Sequence, residues 1–244
     1  MAIVAGACSS PRAVVPTTTR APRVPAGSTG AGALVAAGAP VPSPGCSASG
    51  SGVGSAPLTD VRQDITVDDV ARWYLLTTPP TRDGTGPLPL VVDLHGLGEG
   101  ATLHADTTQF SPEAQANGFI VVFPEGTSTP VSWDIAPSTN AHPNHDIDFM
   151  NAMLDALEKS QCVDESRLYA TGLSDGALFT SLLACTMADR FAAFAPVAGV
   201  VVPSPCHPGR KVPILAFHGT ADPILYFNGG VGTAALNHDL GQGP

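Results

Sequence analysis

The sequence has little of what would tie it to nucleic acid, a bilayer or a structural metal. It holds 11 Lys and Arg against 21 Asp and Glu, a formal net charge of -10. A phosphate-binding surface needs clustered cations, so the composition argues against a DNA or RNA partner. No run of 18 apolar residues occurs, and no membrane-spanning helix is expected. The five cysteines (Cys8, Cys46, Cys162, Cys185 and Cys206) show no C-x-x-C spacing, which disfavours structural zinc. Acidic residues are missing before Asp60, where the only charges are Arg12, Arg20 and Arg23. Aromatic residues are missing from the first 57 positions.

What those positions do contain is Ala, Gly, Pro, Ser and Thr. Such a segment cannot bury enough apolar surface to fold, so residues 1–56 are expected to be a disordered linker. Inside it, GAGALVAAGAPVPSPGCSASGSG runs from small apolar residues through Cys46 to a Ser/Gly spacer. It is similar to the end of a bacterial export signal, with Cys46 a candidate lipid anchor. The expected location is therefore secreted, or tethered at the cell surface through Cys46. Three cysteines fall in the body, where an exported protein is expected to form one disulfide.

From Asp60 onward the texture changes. DVRQDITV and ARWYLLTTP read as strands, and LPLVVDLHG and GFIVVFPEG as strands buried on both faces. RLYATGLS, FAAFAPVAGV and VPILAFHGTAD read as three more. Helices are expected over 106–117, over DIDFMNAMLDALEKS with Asp146 as its cap, and over DGALFTSLLACTMA. The alternation implies an α/β domain over 57–244, with a mostly parallel sheet and helices on both faces. Ligands of such sheets bind at the carboxyl ends of the strands.

Gly172-Leu173-Ser174-Asp175-Gly176 fits G-x-S-x-G between a strand and a helix. A sharp strand-to-helix turn strains the serine backbone, and the flanking glycines let neighbouring backbones approach. His95-Gly96 ends another strand, where the Leu97 N–H can face that of Asp175 as an oxyanion hole. Asp222, in a loop past the strand PILAFHG, sits where an acid would orient a catalytic histidine. The only histidine after it is His238, 16 residues on, with no room for a helix and strand between. His95 and His218 are expected at the rim of the site. His142, His145 and Asp146 resemble a metal cluster, but a loop leading into a helix cap explains them better. Gly96, Gly98 and Gly100 lack the G-x-G-x-x-G spacing of a dinucleotide site. Neither a cofactor nor a metal is expected.

TDVRQDITVDDVARWYLLTTPP, LVVDLHG, DIDFMNAMLDAL, RLYATGLSDGA, AFAPVAGV and LAFHGTADPI together resemble the secreted polyhydroxybutyrate depolymerase-like esterases. That group of α/β-hydrolases includes feruloyl and acetylxylan esterases, and the resemblance covers about residues 57 to 232. It implies that Ser174 is the nucleophile and Asp222 the acid. It further implies that Trp133 lies at the substrate site, where His95 is also expected to touch substrate, and that Cys185 pairs with Cys206. Cys162 is left without an assigned partner. Family members continue with a helix, a strand and a Gly-Gly-His segment carrying the base. That base is therefore expected beyond residue 244, and the chain as given is expected to be nearly inactive. The expected substrate is a carboxylic ester, either a polyhydroxyalkanoate-type polyester or a feruloyl or acetyl ester of a plant polysaccharide. Two alternatives stay open: a serine peptidase on the same fold, and an exported binding protein without a base.

Overall fold

A computed structural model describes residues 38–47, 56–80 and 86–232. The part of the expected export signal before residue 38, and His238, lie outside the described residues. Six strands form one sheet: β1 (Val61–Val67), β2 (Val70–Thr77), β3 (Leu88–Leu94), β4 (Ile120–Pro124), β5 (Val163–Leu173) and β6 (Ala193–Val197). Their order is β1-β2-β4-β3-β5-β6. The β1–β2 and β2–β4 pairs are antiparallel, and β3 pairs parallel with both β4 and β5, as β5 does with β6. The sheet is thus mixed and mostly parallel.

Period-two alternation sorts the strand side chains to the two faces. Tyr74, Leu76, Ile120 and Val122 point to one face, while Leu75, Val121 and Phe123 point to the other. The first face is covered by α3 (His145–Ser160) and α4 (Asp175–Thr186), through Phe149, Met150, Met153, Leu154, Leu157, Phe179, Leu182 and Leu183. The second is covered by α1 (Gly100–Thr108) and α2 (Phe110–Asn117), which approach closely on Ala101, Ala105 and Ala114. The helix expected over 106–117 is in fact two, broken at Gln109, whose φ is 57°. The cap of α3 is Asn144 rather than Asp146: its side chain accepts from the Asp146 and Ile147 amides. Asp146 is instead buried against Arg72, 2.7 Å away. The expected strand VPILAFHGTAD is reduced to two parallel bridges to β6, Phe194 with Ile214 and Val197 with Phe217.

The linker expectation needs correcting at residues 38–47. Val41 N–H donates to Asp164 Oδ1 at 2.9 Å, and the Ser43 hydroxyl donates to the Gln161 carbonyl at 2.9 Å. A Cβ at Gly45 would stand 2.1 Å from that carbonyl oxygen, so only glycine fits. Cys46 is bonded to Cys162 across a sequence separation of 116, with the Cα atoms 4.1 Å apart. Its sulfur is therefore not free to carry a lipid, and the lipid-anchor expectation is overturned. Cys185 and Cys206 pair as expected, with Cα atoms 5.1 Å apart.

Candidate active site

Ser174 stands between β5 and α4 with φ 55° and ψ -113°. Non-glycine residues occupy such angles only when the surroundings force them, at about 1–3 kcal/mol of strain. The forcing contacts are visible on both sides. A Cβ at Gly172 would meet the Gly176 carbonyl oxygen at 2.5 Å, and one at Gly176 would meet the Leu94 carbonyl oxygen at 2.2 Å. The Ser174 amide is fixed by the Val197 carbonyl at 2.9 Å. The hydroxyl-bearing residue thus opens a helix whose first amides have no intrahelical acceptor.

The β3–α1 loop, residues 95–99, runs beside this turn: a Cβ at Gly96 would lie 3.5 Å from the Leu173 carbonyl oxygen and 3.8 Å from Ser174 Cβ. Its amides are mostly spoken for. Gly96 N–H donates to Glu99 Oε2, Gly98 N–H to the Val131 carbonyl, and Glu99 N–H to the Gly96 carbonyl. The Leu97 amide has no partner among the described residues. His95 is fully buried. Its Nδ1–H donates to the Gly96 carbonyl at 2.8 Å, and its Nε2 accepts from the Gly126 amide at 2.9 Å. Accepting at Nε2 requires the neutral ring, and burial pushes its pKa down.

Asp222 lies in the turn after residues 213–217, which run parallel to β6 as β6 does to β5. It therefore sits past the same carboxyl ends as Ser174. Gly199 marks the meeting point, since a Cβ there would touch the Ser174 carbonyl oxygen at 3.0 Å and Leu225 Cδ1 at 3.2 Å. Asp222 Oδ1 accepts from the Ile224 and Leu225 amides, and those bonds hold its carboxyl below the usual range. Its Oδ2 is 3.5 Å from His218 Nε2, which itself donates to the Leu225 carbonyl at 2.7 Å.

A family model described as "Esterase PHB depolymerase" matches residues 73–233, about two-thirds of the chain. The chain belongs to this esterase family. Feruloyl esterase B of Piromyces equi is 31% identical over 168 residues, covering 66% of this chain and 31% of that protein. Feruloyl esterase C of Emericella nidulans is 33% identical over 166 residues, covering 66% and 58%. A bifunctional acetylxylan esterase/xylanase of Neocallimastix patriciarum is 32% identical over 139 residues, covering 57% and 20%. The chain thus spans between a fifth and three-fifths of the length of these relatives. A crystal structure titled as a thermostable esterase superposes with a TM-score of 0.55 at 23% identity, over 69% of this chain and 48% of that one. The fold is that of the α/β-hydrolases.

In this PHB-depolymerase-family chain His95 and Trp133, expected at the substrate site, are both buried, Trp133 being 4% exposed. Trp133 Nε1–H donates to the His95 carbonyl at 2.9 Å, and its ring stacks on Phe179 at 5.0 Å. Its backbone N–H donates to Asp175 Oδ2. Burial raises the Asp175 carboxyl pKa, opposed by that amide and reinforced by the charge of Asp146. Both residues therefore form a brace that ties the 95–99 loop to the start of α4. The metal-like trio is dispersed: His142 binds Asp134, Asp146 binds Arg72, and His145 is exposed. The sequence reading missed Asp93, Glu99 and His104, three buried or half-buried polar side chains in mutual contact behind the loop. Their spacing of D-x5-E-x4-H carries no motif. An unbroken helical reading from Gly100 would have brought His104 back over the end of β3.

Proposed function

We propose that this chain is a serine esterase that hydrolyses carboxylic esters through an acyl-enzyme. One observation carries the reading: Ser174 is held at φ 55° on a strand-to-helix turn between two glycines that admit no side chain. In this mechanism Ser174 Oγ attacks the ester carbonyl, and the N–H groups of Leu97 and Asp175 hold the oxyanion. Water then releases the acyl group. Asp222 orients a histidine base through Oδ2, the oxygen its own loop leaves least committed. The base is a histidine outside the described residues, because His218 is pinned to the Leu225 carbonyl. No cofactor enters these steps. The names of the relatives support ester-linked feruloyl or acetyl groups on plant polysaccharide as substrate, and the name of the family supports a polyhydroxyalkanoate-type polyester. Two disulfides support an exported protein working in an oxidising compartment. Among the described residues no helix is long and apolar enough to cross a membrane.

Hydrolysis of p-nitrophenyl esters, with matched anilides as controls, tests the reading. Ester hydrolysis is expected of a chain that carries its base, and there Ser174→Ala costs up to about 10⁶ in kcat. Activity surviving in Ser174→Ala sinks the mechanism. Equal anilide cleavage would make the protein a peptidase, and ligand binding without turnover would make it a binding protein. Asp222→Ala and His238→Ala assign the rest. A chain lacking its base retains roughly 10³–10⁴ over water, and His238→Ala lowers the rate only if His238 supplies that base.

A further inference from the structure

Behind the 95–99 loop lies a group of charges that the mechanism above does not use. His104, on α1, is 1% exposed. Its Nε2 is 3.0 Å from Oδ1 of Asp93, near the end of β3, and its Nδ1 is 3.0 Å from Oε2 of Glu99. Both carboxylates need a donor, and only the imidazolium has an N–H on each nitrogen. A neutral ring would turn a lone pair toward one of them at the same distance. Asp93 is 2% exposed and its Oδ2 has no partner among the described residues, so the negative charge here is otherwise poorly compensated.

Glu99 gives this cluster its reach. The oxygen that contacts His104 also accepts the Gly96 amide at 2.9 Å, and Gly96 precedes Leu97. Glu125 stands on the other side, with Oε2 accepting the Ala101 amide. His95 is the remaining titratable neighbour; it is neutral and faces Gly126.

We propose that His104 is a positioning residue, an imidazolium clamped between Asp93 and Glu99 that locks Glu99 onto the Gly96 amide and so aims the neighbouring Leu97 amide at the Ser174 turn. The significance of that aim rests on the esterase reading; the clamp itself does not. Burial alone would lower the pKa of His104, but the hydrogen bond and charge of Asp93, then those of Glu99, outweigh it and raise it above 6.5. The sign follows. Below 6.5 the clamp's full stabilisation is present, and it is lost as pH rises through the raised folded-state value. Deprotonation then frees Glu99 and loosens the loop.

The test is NMR on the ¹⁵N-labelled full chain. Two protonated ring nitrogens on His104 are expected to persist above pH 6.5, and the Gly96 and Leu97 amide resonances are expected to shift along His104's own titration curve. In Glu99→Gln the titration moves to lower pH, and exchange of the Gly96 amide quickens by about tenfold. His104→Gln uncouples both amides from pH; if it fails to fold, Glu99→Gln carries the same test. A singly protonated His104 at pH 6.5, or loop amides indifferent to its titration, overturns the proposal. None of these readings needs turnover, so they stand apart from the fate of Ser174→Ala.

Discussion

The turn at Ser174 and the loop from His218 to Gly232 lie at the same end of the sheet, and that loop, with the stretch from Val200 that leads to it, is built in the opposite way. Around Ser174, backbone meets backbone: Gly172, Gly176, Leu94 and Val197 leave no free volume, and Phe179, Leu182 and Leu183 close the core beneath. In the other stretch Ile214, Leu215, Phe217, Tyr226 and Phe227 are all more than 45% exposed. Asp222 is held there by two amides of its own loop and little else. The proposed nucleophile is thus set by steric exclusion, and the proposed acid by a few local hydrogen bonds. Stability and catalysis should therefore separate on mutation: the turn controls both, the loop mainly the second.

Gly176→Ala breaks the comparison at its strongest point. A methyl group 2.2 Å from the Leu94 oxygen forces α4 away from β3, and a loss of about 4 kcal/mol or more is expected in the free energy of urea unfolding. Arg72→Met tests the core that supports the turn. It leaves Asp146 buried and unpaired, at an expected cost of about 3–5 kcal/mol. A Tm change within a few degrees would show that solvent reaches Asp146 more easily than its burial implies. Ser174→Gly should go the other way: relieving φ 55° is expected to stabilise by about 1 kcal/mol while abolishing ester hydrolysis. In a chain that carries its base, Asp222→Asn should lower kcat by about 10⁴ with the unfolding free energy changed by less than about 1 kcal/mol. The smallest effect belongs to Leu215→Lys, which should leave Tm nearly unchanged but reduce self-association in sedimentation, because it charges an exposed apolar edge.

These contrasts also mark how much could be read from sequence. The Ser174 turn was legible because its causes are local: two glycines, a strand before and a helix after. Strands buried on both faces announce themselves as apolar runs, as in β3 and β4. The Cys185–Cys206 bridge was legible only through family resemblance. The Cys46–Cys162 bridge was not legible, because it joins an Ala/Gly/Pro-rich stretch to the start of β5 across 116 residues, and neither partner signals the other. The burial of His95 and Trp133 was not legible for a related reason. His95 ends a strand and Trp133 entered through resemblance, whereas their burial is decided by Gly126 and Phe179, from other parts of the chain. The α3 cap went to Asn144 because Asp146 was drawn into the core by Arg72, a partner 74 residues away.

The two bridges also divide the chain into covalent circuits. The larger closes at Cys46 and Cys162, and it encloses Leu97, His104, Trp133 and Asp146 in one loop of polypeptide. The smaller encloses only the passage from Cys185 to Cys206 through β6. Ser174 lies on open chain between the circuits, and Asp222 on open chain after both. A molecule unfolded with its bridges intact would therefore keep the Leu97 loop on a closed ring while the serine and the acid moved independently of it. Among the described residues no disulfide joins the two, and their site would have to be reassembled each time by the close fit of Gly172 and Gly176 against their neighbours.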